Sequence, residues 1–263
     1  MTDGRVVHLA LDRVALLELD DPPLNLVSRR LLDELDAALG QLEAVAPTDV
    51  RAVVLTGAGE RAFSVGSNVK EFEAHRAAPD GGREHFAQEA RVAQRLARLP
   101  MPTIAAIEGD ALGGGLELAL CCDLRICSDR ARLGLPEVRL AVTPSTGGTQ
   151  RLPRIVGVAW AKELLLTGRI IDATEAARIG LVNEVVPAGQ AVARAREIGA
   201  EIAERGPLAV RSVKDLVEES LDQPLTAGHA AETETSVRIF ATDDLLEGAR
   251  SFVEKRQPEY HGR

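Results

Sequence analysis

The residues with the clearest chemical potential lie between positions 108 and 123, where three consecutive glycines precede a glutamate. In a helix that begins at these glycines, Glu117 lies about one turn after Gly114, so its carboxylate shares the face towards which the Gly114 N–H points. Glycine lets a ligand approach the backbone closely, and a helix N-terminus favours negative charge. An N–H donor beside a carboxylate suits an enzyme that stabilises an oxyanion while it moves a proton. The plainer interpretation is a tight packing turn with a solvated glutamate.

A second carboxylate and a second glycine turn extend this pattern. Glu137 stands twenty residues after Glu117 and directly follows Pro136, and proline fixes the local backbone, which suits a carboxylate that must be held in place. The turn at 66–68 would present a further backbone N–H at the start of a short helix. The glycines at 57–59 follow a strand, as in a dinucleotide-binding turn, but no amphipathic helix follows them directly. A nicotinamide oxidoreductase is therefore a weak alternative.

The elements that would hold these residues alternate between strands and helices. Apolar runs predict strands at 14–19, 51–56, 103–107, 124–127 and 181–186. Helical spacing predicts helices after an N-cap at Ser28 and at 69–74, 84–99 and 157–166. From 190 onwards the pattern is helical throughout. This order is typical of an α/β layer followed by a helical module, with a boundary near 195–205.

Two of the predicted helices have a clear inner face. After Ser28 its apolar positions are Leu31, Leu32, Leu35, Ala38, Leu39 and Leu42. In the helix at 84–99 they are Phe86, Ala90, Ala93, Leu96 and Ala97. We also expect Trp160 and the phenylalanines to pack in the core. The five histidines show neither metal spacing nor a nucleophile partner, so we interpret them as surface or structural residues.

Composition narrows the function classes. A chain of 263 residues fits one large domain, or a domain with an appendage. The net charge of −9 disfavours a nucleic-acid or acidic-membrane surface, and no apolar run approaches the roughly 20 residues that span a bilayer. No export signal is visible, and the three clustered cysteines lack metal-ligand spacing. We therefore expect a cytoplasmic protein with reduced, buried thiols.

Four motifs, taken together, give the chain a recognisable family pattern. They occupy residues 62–72, 109–119, 135–153 and 247–258. In this order and spacing the chain resembles the crotonase (enoyl-CoA hydratase/isomerase) superfamily over nearly its whole length. The resemblance implies an α/β fold: a ββα spiral core at 1–198 that carries an acyl-CoA site, and a C-terminal helical trimerisation module at 199–263. It also implies a homotrimer or homohexamer.

The resemblance further implies an acyl-CoA thioester substrate whose carbonyl oxygen is held by the N–H groups of Ser67 and Gly114. Those family members that resemble hydratases carry two glutamates, which correspond here to Glu117 and Glu137. By analogy, Glu117 activates water and Glu137 delivers a proton at C2 of the substrate. Two nearby carboxylates also raise the pKa of one of them. The implied reaction requires no metal and no cofactor, because coenzyme A is part of the substrate.

The motif positions also imply a set of substrate-binding residues. They are Leu24, Leu26, Ala62, Val65, Ser67, Asn68, Val69, Lys70, Gly113, Gly114, Pro136 and Lys255. For the nucleotide end of coenzyme A, Lys70 is the first candidate. Lys255 from a neighbouring subunit and Arg29 are weaker candidates, because a surface cation is usually only solvated.

Three positions depart from the common family pattern. Asn68 replaces an aspartate, and Ser145 and Thr146 precede the glycine pair that follows them. The bulk of Ser145 and Thr146 would narrow the acyl site or add a hydroxyl contact.

From the motifs together, we expect a 2-enoyl-CoA hydratase. The alternatives are a related activity, namely an enoyl-CoA isomerase, a specialised hydroxyacyl-CoA dehydratase or a methylglutaconyl-CoA hydratase, and a non-catalytic protein that binds coenzyme A or RNA.

Overall fold

The computed structural model describes residues 4–45 and 48–263, and this part of the chain contains ten strands in two sheets. The six-stranded sheet has the order β1 (Val7–Ala10), β2 (Val14–Leu19), β3 (Ala52–Gly57), β5 (Thr103–Ile107), β7 (Leu124–Ser128) and β10 (Glu184–Val186). The four-stranded sheet has the order β4 (Ala62–Ser64), β6 (Asp110–Leu112), β8 (Arg132–Gly134) and β9 (Ile171–Asp172). Neighbouring strands are parallel except at β1–β2 and β8–β9.

Successive strands alternate between the two sheets, which produces a ββα repeat. The pairs β3–β4, β5–β6 and β7–β8 each place one strand in either sheet before the chain enters a helix. The helices that follow are α2 (Phe72–Ala77) with α3 (Arg83–Ala97), α4 (Gly114–Leu120), and α5 (Gly148–Val156). The mixed α/β spiral implied by the resemblance is confirmed. Because β4 and β6 are parallel, the turns that follow them lie at the same edge of the small sheet.

The central strands β3 and β5 are buried at every residue, as expected when both faces of a parallel sheet are covered. Val53 and Leu55 face the larger core cluster, which includes the inner side of α1 (Arg29–Ala44). Val54 faces the opposite cluster, which includes Ala195 of α8 (Ala191–Ala203). The large sheet is therefore covered on both of its faces.

Helix α1 matches its prediction closely, whereas α3 differs in the residues that it buries. Ser28 caps α1 by accepting a hydrogen bond from the Leu31 N–H, and all six predicted inner positions are buried. In α3, Phe86 is 50% exposed and Ala90 is also exposed. Their predicted inward orientation is wrong because α3 is rotated so that Gln88 and Glu89 face inward instead.

The prediction missed the short strands of the small sheet and the helix α5. Strands β4, β6 and β8 have three residues each, which is too short to display a clear alternation of apolar and polar residues. The predicted helix at 157–166 is α6 (Val158–Thr167), which follows α5 after Gly157. Asp172 caps α7 (Ala173–Arg178) by accepting a hydrogen bond from the Glu175 N–H.

The C-terminal part is helical, with α8 followed by α9 (Pro207–Glu219), α10 (Leu225–Phe240) and α11 (Asp243–Glu254). The division predicted at 198/199 falls inside α8, which packs on the large sheet; the division into two domains stays a prediction. Phe63 is fully buried, but Phe240 and Phe252 are 73% and 86% exposed, so the expectation of a core position is wrong for these two, as it is for the half-exposed Phe86. In the described residues, no helix is long and apolar enough to cross a membrane.

Candidate active site

Glu117 lies on α4, one turn after the helix begins, and its side chain is buried. Its Oε1 accepts hydrogen bonds from the backbone N–H groups of Thr146 (2.8 Å) and Gly148 (2.7 Å), at the loop that enters α5. A Cβ on Gly148 would lie 3.0 Å from that oxygen, so glycine permits this close approach of backbone to carboxylate. The two donors fix the carboxylate and favour its ionised form.

Glu137 begins the short 3₁₀ helix Glu137–Leu140, directly after Pro136. Both of its carboxyl oxygens are buried, and neither has a hydrogen-bond partner in the described part of the chain. A Cβ on Gly113 would lie 3.5 Å from Glu137 Oε1, which places this carboxyl group beside the start of α4. A buried carboxyl group without a protein partner is available to a bound ligand.

The two glutamates therefore have different acid–base properties. Burial, and to a smaller degree the negative charge of Glu117, raises the pKa of Glu137 to about 7. Burial also raises the pKa of Glu117, but the amide donors of Gly148 and Thr146 oppose that shift. Glu117 is thus suited to accept a proton near neutral pH, and Glu137 to donate one.

The turn predicted to carry the first N–H donor lies against the start of α4. Gly66 has a φ of +88°, and a Cβ on it would lie 2.8 Å from the Gly114 nitrogen. Gly114 is the first residue of α4, where the helix supplies no acceptor for the N–H. Ser67 Oγ lies 3.7 Å from the position of a Cβ on Gly114. The structure thus brings together the two residues predicted to bind a thioester oxygen.

Most of the predicted acyl-site residues lie around this turn. Val65 donates its N–H to the carbonyl of Leu24 (3.2 Å), and Leu26 follows in the same segment, which runs beside 62–67. The segment is held by Asn25, whose Nδ2 donates to the Ala62 carbonyl (2.9 Å). Gly113 and Pro136 flank Glu137, as described above.

The predicted coenzyme A contacts are more scattered. Asn68 caps the short helix Val69–Glu71 by accepting from the Lys70 N–H, and it also donates to Glu71. Val69 and Lys70 are exposed beside the turn. Arg29 is exposed and lies 3.9 Å from Glu84. Lys255 caps the C-terminal end of α11, and within the described chain no hydrogen bond joins it to the site.

A third buried carboxyl group was not among the predicted site residues. Glu89 of α3 accepts a hydrogen bond from Ser67 Oγ (3.3 Å) at Oε1 and from Ser145 Oγ (2.9 Å) at Oε2. The signal was present in the sequence, because Glu89 stands at helical spacing with the buried residues Val92 and Leu96. Burial raises the pKa of Glu89, against the lowering effect of both hydroxyl donors.

Two of the histidines that were expected to be surface or structural residues lie in the same region. His85 Nε2 lies 3.3 Å from Glu89 Oε1. The His85 ring stacks on His75 at 3.9 Å between centroids, and His75 Nε2 lies 3.8 Å from Glu71. Burial lowers the pKa of His85, so a neutral imidazole beside Glu89 is favoured near neutral pH.

No group of three or more His, Cys, Asp or Glu side chains in the described residues is arranged to hold a metal ion. Cys121, Cys122 and Cys127 are free and buried, as predicted.

Fold and site together define an acid–base enzyme built on a ββα spiral. The sequence profile of the enoyl-CoA hydratase/isomerase family matches residues 11–263, and the chain belongs to this family. It is 40% identical over 248 residues to the short-chain-enoyl-CoA hydratase of Clostridium acetobutylicum, covering 94% of both chains. It is 38% identical to the mitochondrial methylglutaconyl-CoA hydratase of Rattus norvegicus, covering 90% of this chain and 76% of that one.

The fold comparison agrees with the sequence comparison. The crystal structure of an enoyl-CoA hydratase from Bacillus anthracis superimposes with a TM-score of 0.93 at 41% identity, covering 98% of this chain and 100% of the other. The structure of DspI from Pseudomonas aeruginosa also gives a TM-score of 0.93, at 34% identity, covering 99% of this chain and 98% of that one.

Proposed function

We propose that this protein is an enoyl-CoA hydratase, which adds water reversibly across the C2=C3 bond of a 2-enoyl-CoA thioester. The observation that carries the proposal is the pair of buried glutamates. Glu117 is held by two backbone N–H donors, whereas Glu137 has no partner among the described residues. A carboxylate base beside a carboxylic acid is the pair that addition of water requires.

In the proposed reaction, the thioester oxygen accepts hydrogen bonds from the N–H groups of Ser67 and Gly114. Glu117 removes a proton from water as the water oxygen bonds to C3. The π electrons of C2=C3 move towards C1, and the thioester oxygen gains the charge of an enolate. The enolate then takes the proton of Glu137 at C2, which gives the 3-hydroxyacyl-CoA. An N–H donor that stabilises such an oxyanion typically contributes a factor of ~10²–10³ in rate.

One feature of the site favours hydration over double-bond isomerisation, and another supports coenzyme A as the carrier of the acyl group. An isomerase can work with one acid–base group, and this site retains two. Lys70 stands exposed beside the turn, where its charge would attract the phosphates of coenzyme A. We propose no metal or redox cofactor for this reaction.

We also propose a homotrimer or homohexamer in the cytoplasm. Support for the assembly is the apolar surface of the C-terminal helices, which includes Val217, Phe240 and Phe252. Support for the location is the set of three free cysteines, which suits a reducing compartment.

The test is the loss of enoyl-thioester absorbance with crotonyl-CoA, measured for the wild type and for Glu117→Gln and Glu137→Gln. We expect each variant to lower kcat by ~10²–10⁴-fold, because each removes one acid–base group. Glu108→Gln is a matched control. Glu108 is also buried and accepts hydrogen bonds from two backbone N–H groups, those of Gly189 (2.8 Å) and Ala191 (2.6 Å). These two donors lie at the entry to α8, whereas the donors to Glu117 lie at the entry to α5.

The control should lower stability and keep kcat near the wild-type value. An inert wild type that binds crotonyl-CoA would overturn the hydratase proposal, and the search would pass to isomerisation or to branched acyl groups. A wild type that hydrates crotonyl-CoA but tolerates Glu117→Gln would overturn the assignment of the base.

A further inference from the structure

Glu89 connects two parts of the site that reach it from different elements. Ser67 belongs to the turn after β4, and Ser145 belongs to the loop that enters α5. Each directs its hydroxyl group to a different oxygen of the Glu89 carboxyl group. Glu89 itself is 2% exposed. One side chain from α3 therefore holds both loops.

Both loops also contact the proposed reacting groups, one by a hydrogen bond and the other by a close backbone approach. Ser145 is followed by Thr146, whose N–H donates to Glu117 Oε1. Ser67 follows Gly66, which lies against the Gly114 nitrogen. The connections form a closed ring that runs from α4 through Glu117, the 145–146 loop, Glu89 and the 66–67 turn back to α4. A displacement of Glu89 would therefore change the distance between the base and the N–H donors.

Helix α3 provides a firm support for this carboxyl group. Gln88 Nε2 donates to Asp33 Oδ1 of α1 (2.6 Å). In the last turn of α3, Arg95 donates hydrogen bonds to Asp36 and Glu43 of α1. These contacts lie on the side of α3 that packs on α1, so they fix the helix without contacting the site.

We propose that Glu89 is a positioning residue, which fixes the Ser67 turn relative to the loop that holds Glu117. The inference rests on the proposed function for its kinetic consequence. For its structural content it rests on the hydrogen bonds of Glu89 and Glu117 and on the close approach of Gly66 to Gly114. A shift of about 1 Å in a reacting group can cost ~10²-fold in rate. Ser67 and Ser145 each donate a hydrogen bond to Glu89. Loss of one serine hydroxyl should therefore lower the rate less than loss of the Glu89 carboxyl group.

The kinetic test compares Glu89→Ala with Glu89→Gln. In Glu89→Ala we expect kcat to fall ~10–100-fold, because a loosened site misplaces the reacting groups. The KM should change less than threefold, because Glu89 does not contact coenzyme A in this proposal. Glu89→Gln should recover most of kcat, since an amide accepts a hydrogen bond from one serine and donates one to the other.

Gln88→Ala is the matched control, because Gln88 is the buried neighbour of Glu89 on the same helix and contacts α1 instead of the site. It should lower the melting temperature and leave kcat within twofold of the wild type. Equal losses of kcat in Glu89→Ala and Gln88→Ala, in proportion to their losses of stability, would overturn the positioning role. So would a Glu89→Ala variant with wild-type kcat.

Two measurements separate this proposal from the hydratase assignment. The first is the enolate absorbance of bound acetoacetyl-CoA, a thioester that carries no C=C bond to hydrate. Polarisation of this ligand reports the N–H donors without turnover, so we expect Glu89→Ala to weaken the band more than tenfold at saturation. If the wild type shows the band but hydrates no enoyl-CoA, the hydratase assignment fails and the positioning role is still tested.

The second measurement needs no ligand. Crystal structures of the wild type and of Glu89→Ala should show the distance between the Ser67 and Gly114 nitrogens changed by more than ~0.5 Å, the tolerance of a productive site. An unchanged distance, with both loops in their wild-type positions, would overturn the proposal whatever reaction the enzyme catalyses.

Discussion

Two side chains of the same type have different roles here because their surroundings differ. Glu117 and Glu137 are both removed from water, which raises the pKa of each carboxyl group. Backbone N–H donors stabilise the charged form of Glu117. The carboxyl oxygens of Glu137 have no hydrogen-bond partner in the described residues, and burial outweighs the smaller lowering effect of its own backbone N–H. The proton shared by the pair should therefore reside mainly on Glu137 near neutral pH.

This distribution of protons predicts the pH dependence of the reaction. Hydration requires a protonated Glu137, whose pKa is raised to about 7. We expect kcat/KM for hydration to fall as the pH rises through about 7, where the pair of glutamates loses its single proton. The kcat/KM for dehydration of the 3-hydroxyacyl-CoA should fall in parallel, because the reaction takes up no net proton and its equilibrium constant does not depend on pH. Initial rates in both directions between pH 5 and 9 measure this. A kcat/KM for hydration that does not fall above pH 7 would contradict it.

Stability gives an independent check on the same group. The pKa of Glu137 is 4.5 without the fold and about 7 within it, so between these values the folded chain binds a proton that the unfolded chain releases. The contribution of Glu137 to stability is therefore greatest below pH 4.5 and is lost as the pH rises through about 7. Glu137→Gln, which stays neutral, should be more stable than the wild type at pH 8 and similar to it at pH 5.

At the scale of single residues, the sequence motifs predicted that the two glutamates and the glycine turn belong to the site, but they did not predict Glu89. Glu117 and Glu137 are marked by adjacent glycines and proline, which are local signals. Whether Glu89 is buried depends on how α3 is rotated against α1, and that rotation is set by contacts such as Gln88 with Asp33. The helical spacing made Glu89 a possible inner residue, but the spacing of Phe86 and Ala90 suggested a different face.

At the scale of elements, the site exists because two turns of the small sheet meet. Strands β4 and β6 are parallel neighbours, so the turns that leave them lie side by side. Gly66 and Gly114 make this approach possible, because a Cβ on Gly66 would lie 2.8 Å from the Gly114 nitrogen. These strands were missed because each has three residues. The longer elements were predicted closely because β2 and α1 display a full period of burial and β5 is an unbroken apolar run of five residues.

The meeting of the turns predicts a large effect of Gly66→Ala. The methyl group would enter the space in front of the Gly114 N–H, so we expect kcat to fall ~10²–10³-fold, as for loss of one oxyanion donor. Gly59→Ala is the matched control. Gly59 also has a positive φ, +76°, but a Cβ there would have nothing within 4 Å.

The left-handed backbone should cost both variants about 1–2 kcal/mol in free energy of unfolding, because it disfavours alanine. Gly66→Ala should cost more than Gly59→Ala, because its Cβ would also lie 2.8 Å from the Gly114 nitrogen. Only Gly66→Ala should lose activity. Steady-state rates with crotonyl-CoA and urea unfolding of both variants make the comparison. If the two variants lost activity to the same extent, backbone strain would explain the effect and the placement of the Gly114 N–H would not.

At the scale of the whole molecule, the spiral and the C-terminal helices differ in what they expose. The C-terminal tail is held to the spiral, since Arg51 Nη2 donates to the Tyr260 carbonyl (2.8 Å). Asp244 of α11 also accepts from the N–H groups of His261 (2.7 Å) and Gly262 (2.9 Å). The large apolar side chains that α9 to α11 and the α9–α10 turn leave exposed are Val213, Val217, Leu221, Leu225, Val237, Phe240, Leu246, Phe252 and Val253. So much apolar surface on one region marks a protein contact.

The exposed helices predict that the chain assembles with copies of itself through this surface. Three chains of 28.1 kDa give a particle of about 84 kDa, and a hexamer doubles that mass. Phe252 is 86% exposed on α11, and a charge in its place would become buried without a partner in the assembly. We expect Phe252→Glu to reduce the mass measured by light scattering towards that of one chain.

Leu11→Glu is the control for this substitution. Leu11 is 53% exposed near the other end of the sequence, between β1 and β2, so its replacement should leave the measured mass unchanged. A wild type that sediments as a monomer at micromolar concentration would refute the assembly, and an oligomer that survives Phe252→Glu would assign its interface to another surface.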